Sequence, residues 1–142
     1  SYAVPPCHVS CGFTSTGVRS GHIGQCWSTK SSAKGINQIF ISPTLGDAYD
    51  VIDTLVHELV HAVDDCQNKH GKEFKKIALK MGLKGPMRSA DAGPELKVVL
   101  NDLLTKLIVP TYPDETLERT SVMLASYKAY HLMRMHAYKE LV

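Results

Sequence analysis

The chain has 142 residues and a mass of 15.6 kDa, which is the size of one domain with a short appendage. Hydrophobic residues make up 44% and charged residues 21%, as in an ordinary globular protein, so the composition excludes disorder along the whole chain. The net charge of +2 is too small to indicate nucleic-acid binding by itself. The sequence also lacks the run of about 18 apolar residues that a membrane span needs.

Short strands and turns are predicted for the first third of the chain, because glycines divide it into brief segments. The clearest strand covers residues 36–41, which are β-branched or aromatic and lie between Gly35 and the Ser42-Pro43 turn.

The hydrophobic period changes after residue 46 and predicts a helix. Asp47 or Asp50 can cap it, since each has an acidic residue three places further on. Apolar residues four apart then cover much of the circumference, so we expect a central, buried helix that ends between residues 65 and 68.

Three further helices follow in the pattern. One covers about residues 71–81 and stops at Gly82, and the next runs from Pro94 to about residue 109. A last helix is predicted for residues 114–141. Strands followed by helices define an α+β fold class.

The central helix contains His57, Glu58 and His61 in an HExxH pattern. Residues four apart share a helix face, so both imidazoles point the same way and can bind one zinc ion. Glu58 lies about 100° round the helix and can reach a water on the metal, which is the arrangement of a metal-dependent hydrolase.

A third protein ligand is required, with the fourth position left to water. The metzincin spacing is excluded, because Asp64 and Gln67 stand where that class has glycine and histidine. Glu95 or Glu115 could serve in a gluzincin, but nothing around either residue supports it. The better candidate is His70, between the first two helices, where a tight reversal could bring its ring back over the other histidines.

At this point the sequence resembles a family, the SprT-like zinc metallopeptidases. The resemblance rests on HELVHA at residues 57–62 and HGKEF at residues 70–74. Upstream, IGQC at 23–26 and IFISP at 39–43 stand where the family has two strands. It covers roughly residues 10–85 and looks closest to short phage-encoded members.

The resemblance implies a zinc metalloendopeptidase that acts on a protein or peptide substrate. One zinc ion per chain would be held by His57, His61 and His70, and Glu58 would be the catalytic acid and base. The cytoplasm is the expected location, which means the host cytoplasm if the protein is phage-encoded.

The implied fold is a minimal zincin, with a small antiparallel sheet beside the buried HExxH helix. We expect residues 1–112 to form this domain and residues 113–142 to form a helical C-terminal extension. Many relatives continue into a four-cysteine zinc ribbon, but no cysteine follows Cys66 here. The chain is either truncated before such a ribbon or belongs to a form without one.

Two features of substrate handling are hypotheses from the sequence. By analogy to other zincins, the strand at residues 36–41 could pair with an extended substrate. An extra oxyanion donor is expected, and nothing in the sequence selects among His22, Tyr49 and Tyr112.

Four residues have a loosely finger-like spacing that could hold a second zinc ion, but thiols on strands are the favoured interpretation and a second ion is not expected. These residues are Cys7, Cys11, His22 and Cys26.

An alternative function is a catalytically silent zinc-containing module. Four lysines between Lys72 and Lys80 lie close to one helix face and could contact DNA phosphates, although a solvated face is the simpler interpretation. Membrane binding is not predicted, and the sequence does not indicate an oligomeric state.

Overall fold

The computed structural model describes residues 2–17 and 21–106. Its elements, in chain order, are β1 (Cys7–Cys11), β2 (Gly24–Trp27), β3 (Asn37–Ile41), α1 (Ala48–Val63), α2 (Lys72–Lys80), β4 (Leu83–Lys84), β5 (Asp91–Ala92) and α3 (Pro94–Lys106). Two short 3-10 helices cover Thr29–Ser31 and Met87–Ser89. The prediction of an α+β fold is confirmed.

The first three strands form one sheet in the order β1-β3-β2, with β1 parallel and β2 antiparallel to β3. Side chains alternate along β3, so Asn37, Ile39 and Ile41 are buried while Gln38 and Phe40 lie on the other face. The buried face joins α1 in the core. The sheet is mixed, so the expectation of antiparallel strands throughout is corrected.

The central position of β3 also overturns one hypothesis from the sequence. By analogy to other zincins, residues 36–41 could pair with an extended substrate, but β3 already has hydrogen-bonded neighbours on both edges. Because a strand needs a free edge for such pairing, this prediction is wrong.

Asp47, rather than Asp50, caps α1: its carboxylate accepts hydrogen bonds from the backbone N–H groups of Tyr49 at 2.7 Å and Asp50 at 3.2 Å. The helix is buried along most of its length, as its pattern predicts. It ends at Val63, earlier than expected, because Asp65 and Cys66 have φ values of 51° and 59°, which a right-handed helix cannot continue.

The Asp65 carboxylate fixes the end of α1 to the sheet. It accepts hydrogen bonds from the Thr29 backbone N–H at 2.7 Å, the Thr29 hydroxyl at 2.9 Å and the Asn37 side-chain amide at 3.0 Å. Asn37 is buried in β3 and also donates to the Trp27 carbonyl oxygen, so one carboxylate ties together three segments of the chain.

The second helix is amphipathic, as predicted. Phe74, Ile77 and Ala78 are buried, whereas all four lysines of the predicted basic face are exposed. The helix stops at Gly82, whose φ of +92° strongly favours glycine. The β4–β5 hairpin that follows was not predicted, because each of its strands has only two residues.

Pro94 is the first residue of α3, as predicted. The predicted end of this helix near residue 109, the helix at 114–141 and the extension at 113–142 lie outside the described residues. Within residues 2–17 and 21–106, no helix has the length and apolar character needed to cross a membrane.

Replacing Asp65 with alanine should lower the free energy of unfolding by about 2 kcal/mol, because hydrogen bonds to a charged acceptor are lost. Hydrogen bonds from the Thr29 backbone N–H, the Thr29 hydroxyl and the Asn37 amide lower the pKa of Asp65 from its ordinary value of 3.8. The stabilisation is therefore present at neutral pH and is lost as the pH falls through the folded pKa. Urea unfolding of the wild type and Asp65→Ala should show the difference in the free energy of unfolding at pH about 7 and a smaller difference at pH about 3.

Asp102→Ala is the control, since Asp102 is an exposed acid that forms an ion pair with the exposed Lys106 of α3. Its removal should cost about 0.5 kcal/mol or less. Equal destabilisation by the two substitutions would contradict the role given to Asp65.

Candidate metal centre

Three histidines converge beside α1. The Nε2 atom of His70 lies 3.2 Å from Nε2 of His57 and 3.1 Å from Nε2 of His61. Their possible ligand atoms all lie within 4.8 Å of one another, and all three side chains are half-buried. The structure therefore brings together the three residues that the sequence singled out.

A reversal after α1 carries His70 back over the helix. Asp65, Cys66 and Lys69 all have positive φ values, of 51°, 59° and 49°, so the chain turns sharply within a few residues. The Cys66 N–H donates to the His61 carbonyl oxygen at 2.8 Å, which holds the start of the turn against the last turn of α1.

Phe74 of α2 packs against all three imidazoles. Its ring centroid lies 5.2 Å from that of His57, 4.4 Å from that of His61 and 4.9 Å from that of His70. Phe74 is fully buried, so it closes this side of the site and limits how far the rings can rotate.

The spacing of the nitrogens fits a tetrahedral metal ion. Two nitrogens that each lie about 2.0–2.1 Å from such an ion are about 3.3 Å apart, close to the observed separations. The Nδ1 atom of His57 lies 3.4 Å from the Ala90 carbonyl oxygen, which can only accept a hydrogen bond. That contact places the ring proton on Nδ1 and leaves the Nε2 lone pair facing the other two rings.

The surroundings keep these imidazoles uncharged, which is the form that binds metals. Burial lowers the pKa of His57. For His70, burial again lowers the pKa, and so does repulsion from His57, when that ring is protonated, and from Arg88. For His61, burial followed by repulsion from His57 and His70 lowers the pKa to about 3.

Glu58 lies on the side of α1 that adjoins the histidines, and it packs against β2. It is only 6% exposed, and its carboxylate accepts a hydrogen bond from the Cys26 backbone N–H. Burial raises the pKa of Glu58 to about 8, although the Cys26 hydrogen bond opposes that rise. A carboxyl group with this pKa can exchange a proton near neutral pH.

Gly24 allows β2 to approach Glu58 this closely. A Cβ atom at residue 24 would lie 2.7 Å from Glu58 Oε1 and 2.7 Å from Thr54 Cγ2, which is too close for any side chain. The contacts of Gly24 and of the Cys26 N–H with Glu58 were not predicted from the sequence. The glycine was visible in the sequence, but only the fold shows what it contacts.

The residues of the rejected second zinc site are not gathered round one point. Cys7 and Cys11 stand at the two ends of β1, about 13 Å apart along an extended strand, so they cannot share an ion. A contact with the Cys66 thiol, together with burial, raises the pKa of Cys26 and keeps it in the thiol form.

The structure describes two of the three candidate oxyanion donors, His22 and Tyr49. His22 lies in the loop before β2, with Nδ1 3.1 Å from the Thr16 hydroxyl. The half-buried Tyr49 faces Asp53 and Asp91, which add to the effect of burial in raising the pKa of Tyr49. Tyr112 lies outside the described residues, as does Glu115, one of the two rival third ligands. The other rival, Glu95, is exposed in the first turn of α3.

This combination of a mixed sheet, a buried helix and converging histidines defines an α+β domain with a zincin-like site. Comparison with protein families matches residues 9–92 to the SprT-like family. The match covers more than half of the chain, which therefore belongs to the SprT-like family. No curated protein and no solved structure matches the chain significantly.

Acid should destabilise the metal-free protein through these histidines. The unfolded chain takes up protons near the ordinary pKa of 6.5, whereas the folded histidines have lowered pKa values and stay neutral. The free energy of unfolding should therefore fall as the pH drops below about 6.5, by at most about 1.4 kcal/mol per pH unit for each of His57 and His61, and by less for the more exposed His70.

Glu58 acts in the opposite sense, because its folded pKa of about 8 exceeds the ordinary value of 4.5 and the folded state holds an extra proton between them. The measurement should therefore be made in Glu58→Gln, with a chelator present, by urea unfolding between pH about 7 and about 5. Adding His61→Asn to this variant should make its free energy of unfolding depend less steeply on pH. An unchanged slope would show that His61 is not held neutral by the fold.

Proposed function

We propose that the protein is a zinc-dependent metalloendopeptidase in which His57, His61 and His70 hold the metal and Glu58 is the general base. One observation carries the proposal: three imidazole nitrogens converge with spacings of 3.1 and 3.2 Å, and the residue beside the first histidine is a buried carboxyl group. Imidazole ligands favour zinc among the metals common in hydrolases.

The metal, when bound, supplies a Lewis acid that acidifies water and polarises the scissile carbonyl group. The chain supplies the ligand geometry. The Ala90 carbonyl holds the ring of His57, and Phe74 packs against all three rings, so the imidazoles are oriented before any ion arrives.

Glu58 transfers the proton between the attacking water and the leaving amine. In the proposed reaction its carboxylate takes a proton from the attacking water and later gives it to the leaving amine. The Cys26 N–H orients one carboxylate oxygen, and burial raises the pKa of Glu58 to about 8, so both the charged and the neutral forms are accessible near neutral pH.

Replacing Glu58 with glutamine should separate catalysis from metal binding. The variant keeps all three histidines, so it should bind as much zinc as the wild type, while cleavage of an unfolded protein such as casein should fall by about 100-fold or more. Elemental analysis and gel-based cleavage, with and without double-stranded DNA, measure the two properties.

Glu95→Gln is the matched control, because Glu95 is exposed and is one of the two rival candidates for the third ligand. It should change neither zinc content nor cleavage. A wild-type protein that holds zinc but cleaves nothing, even with DNA present, would instead support a catalytically silent zinc module.

Gly24→Ala tests whether the contact between β2 and Glu58 matters for catalysis. The added methyl group must displace Glu58 or the strand, since a Cβ atom there would lie 2.7 Å from Glu58 Oε1. We expect cleavage to fall by roughly 10-fold or more, with zinc content unchanged.

Gly46→Ala is the control, since a Cβ atom at residue 46 meets nothing within 4 Å. It should retain the wild-type rate. If both alanine variants are fully active, the close approach at Gly24 has no part in positioning the base.

A further inference from the structure

Two backbone groups of the hairpin lie against one face of α1. The Ala92 N–H donates to Asp53 Oδ1 at 2.9 Å, and the Ala90 carbonyl oxygen lies 3.4 Å from His57 Nδ1. Asp53 and His57 are four residues apart on the helix, and Ala90 and Ala92 are two apart on an extended segment. The two contacts therefore form a pair.

The spacings of the two elements match. Four residues of an α-helix rise about 6.0 Å, and two residues of a strand rise about 6.6 Å. In a strand, the C=O of one residue and the N–H of the residue two places on point to the same side. The segment can therefore bond to Asp53 and His57 together, running antiparallel to α1.

β5 has two residues and pairs with β4 through Leu83↔Ala92 and Lys84↔Asp91, and the Gly93 N–H donates to the Gly82 carbonyl oxygen at 2.8 Å. These hydrogen bonds tie the segment to β4 and not to α1. Ala90 and Ala92 are buried, while Asp91 between them is exposed. Because the Ala92 N–H points to Asp53, the carboxylate is its acceptor and sets how close the segment lies to α1.

We propose that Asp53 is a positioning residue of the metal centre: by holding the Ala92 N–H, it places the Ala90 carbonyl where it fixes the ring of His57. Asp53 touches neither metal nor substrate and acts through the backbone of residues 90–92. The inference rests on the proposed zinc site, because its consequence is the affinity of that site for zinc.

Two substitutions separate the hydrogen bond from the charge. Asp53→Ala removes the acceptor and should weaken zinc binding by about 10-fold or more, as loss of such supporting contacts does. Asp53→Asn retains a carbonyl oxygen that can accept from Ala92, so its affinity should stay within about threefold of the wild type. Zinc affinity is measured by competition with a chromophoric chelator.

Asp50→Ala is the matched control, since Asp50 is an exposed acid in the first turn of the same helix. It removes the same charge without touching the hairpin and should leave zinc affinity within about threefold of the wild type, because exposed charges contribute little. Asp53→Leu, which keeps an apolar body of similar size, replaces Asp53→Ala if the alanine variant does not fold.

A spectroscopic signal distinguishes positioning from general damage. In the zinc-loaded protein, NMR should show the His57 Nδ1 proton exchanging more slowly with water in the wild type and Asp53→Asn than in Asp53→Ala. The His61 ring proton should not change among these variants.

The outcomes separate the two proposals. If the wild type binds zinc and Asp53→Ala binds it equally well, with unchanged His57 proton exchange, the role of Asp53 is overturned while the zinc site stands. A wild type that binds no zinc overturns the proposed function and this inference with it.

Discussion

The convergence of three imidazole rings beside α1 is the constraint on which the rest of the structure depends. Neutral imidazoles in van der Waals contact gain little from one another, and burial makes their protonation costly, as the pKa of about 3 for His61 shows. A divalent cation would turn this costly cluster into a favourable one. The tight turn after α1, the packing of Phe74 and the contact of His57 with Ala90 all serve to bring the rings together.

The same helix faces the sheet with a different side chain. Because successive residues of a helix point about 100° apart, His57 and Glu58 enter different environments although they are neighbours in sequence. His57 faces α2 and the hairpin, whereas Glu58 meets the backbone of β2 at Gly24 and Cys26. One helix thus presents metal ligands on one side and a buried proton acceptor on the adjoining side, and the sheet and the hairpin hold it between them.

The fold class, the strand at β3, the capped central helix and the pair His57 and His61 could be predicted from the sequence, since each depends on local pattern or on spacing along one helix. His70 was predicted from its position just past that helix and from the family resemblance, and the structure places its ring beside the other two. The central position of β3, the parallel pairing of β1 and the close approach of Gly24 depend on contacts between distant segments, which periodicity does not encode. The early end of α1 was missed because Asp65, an ordinary polar residue by type, takes its left-handed conformation where Thr29 and Asn37 bind its carboxylate. The hairpin was missed because strands of two residues carry no pattern.

X-ray absorption at the zinc edge of the metal-loaded protein tests the central claim most directly. The account predicts one zinc ion per chain, surrounded by three imidazole nitrogens and a lighter oxygen ligand at about 2.0–2.1 Å. A sulfur shell at about 2.3 Å would place the metal on cysteines instead, and a protein that retains no zinc after gel filtration would equally contradict the account.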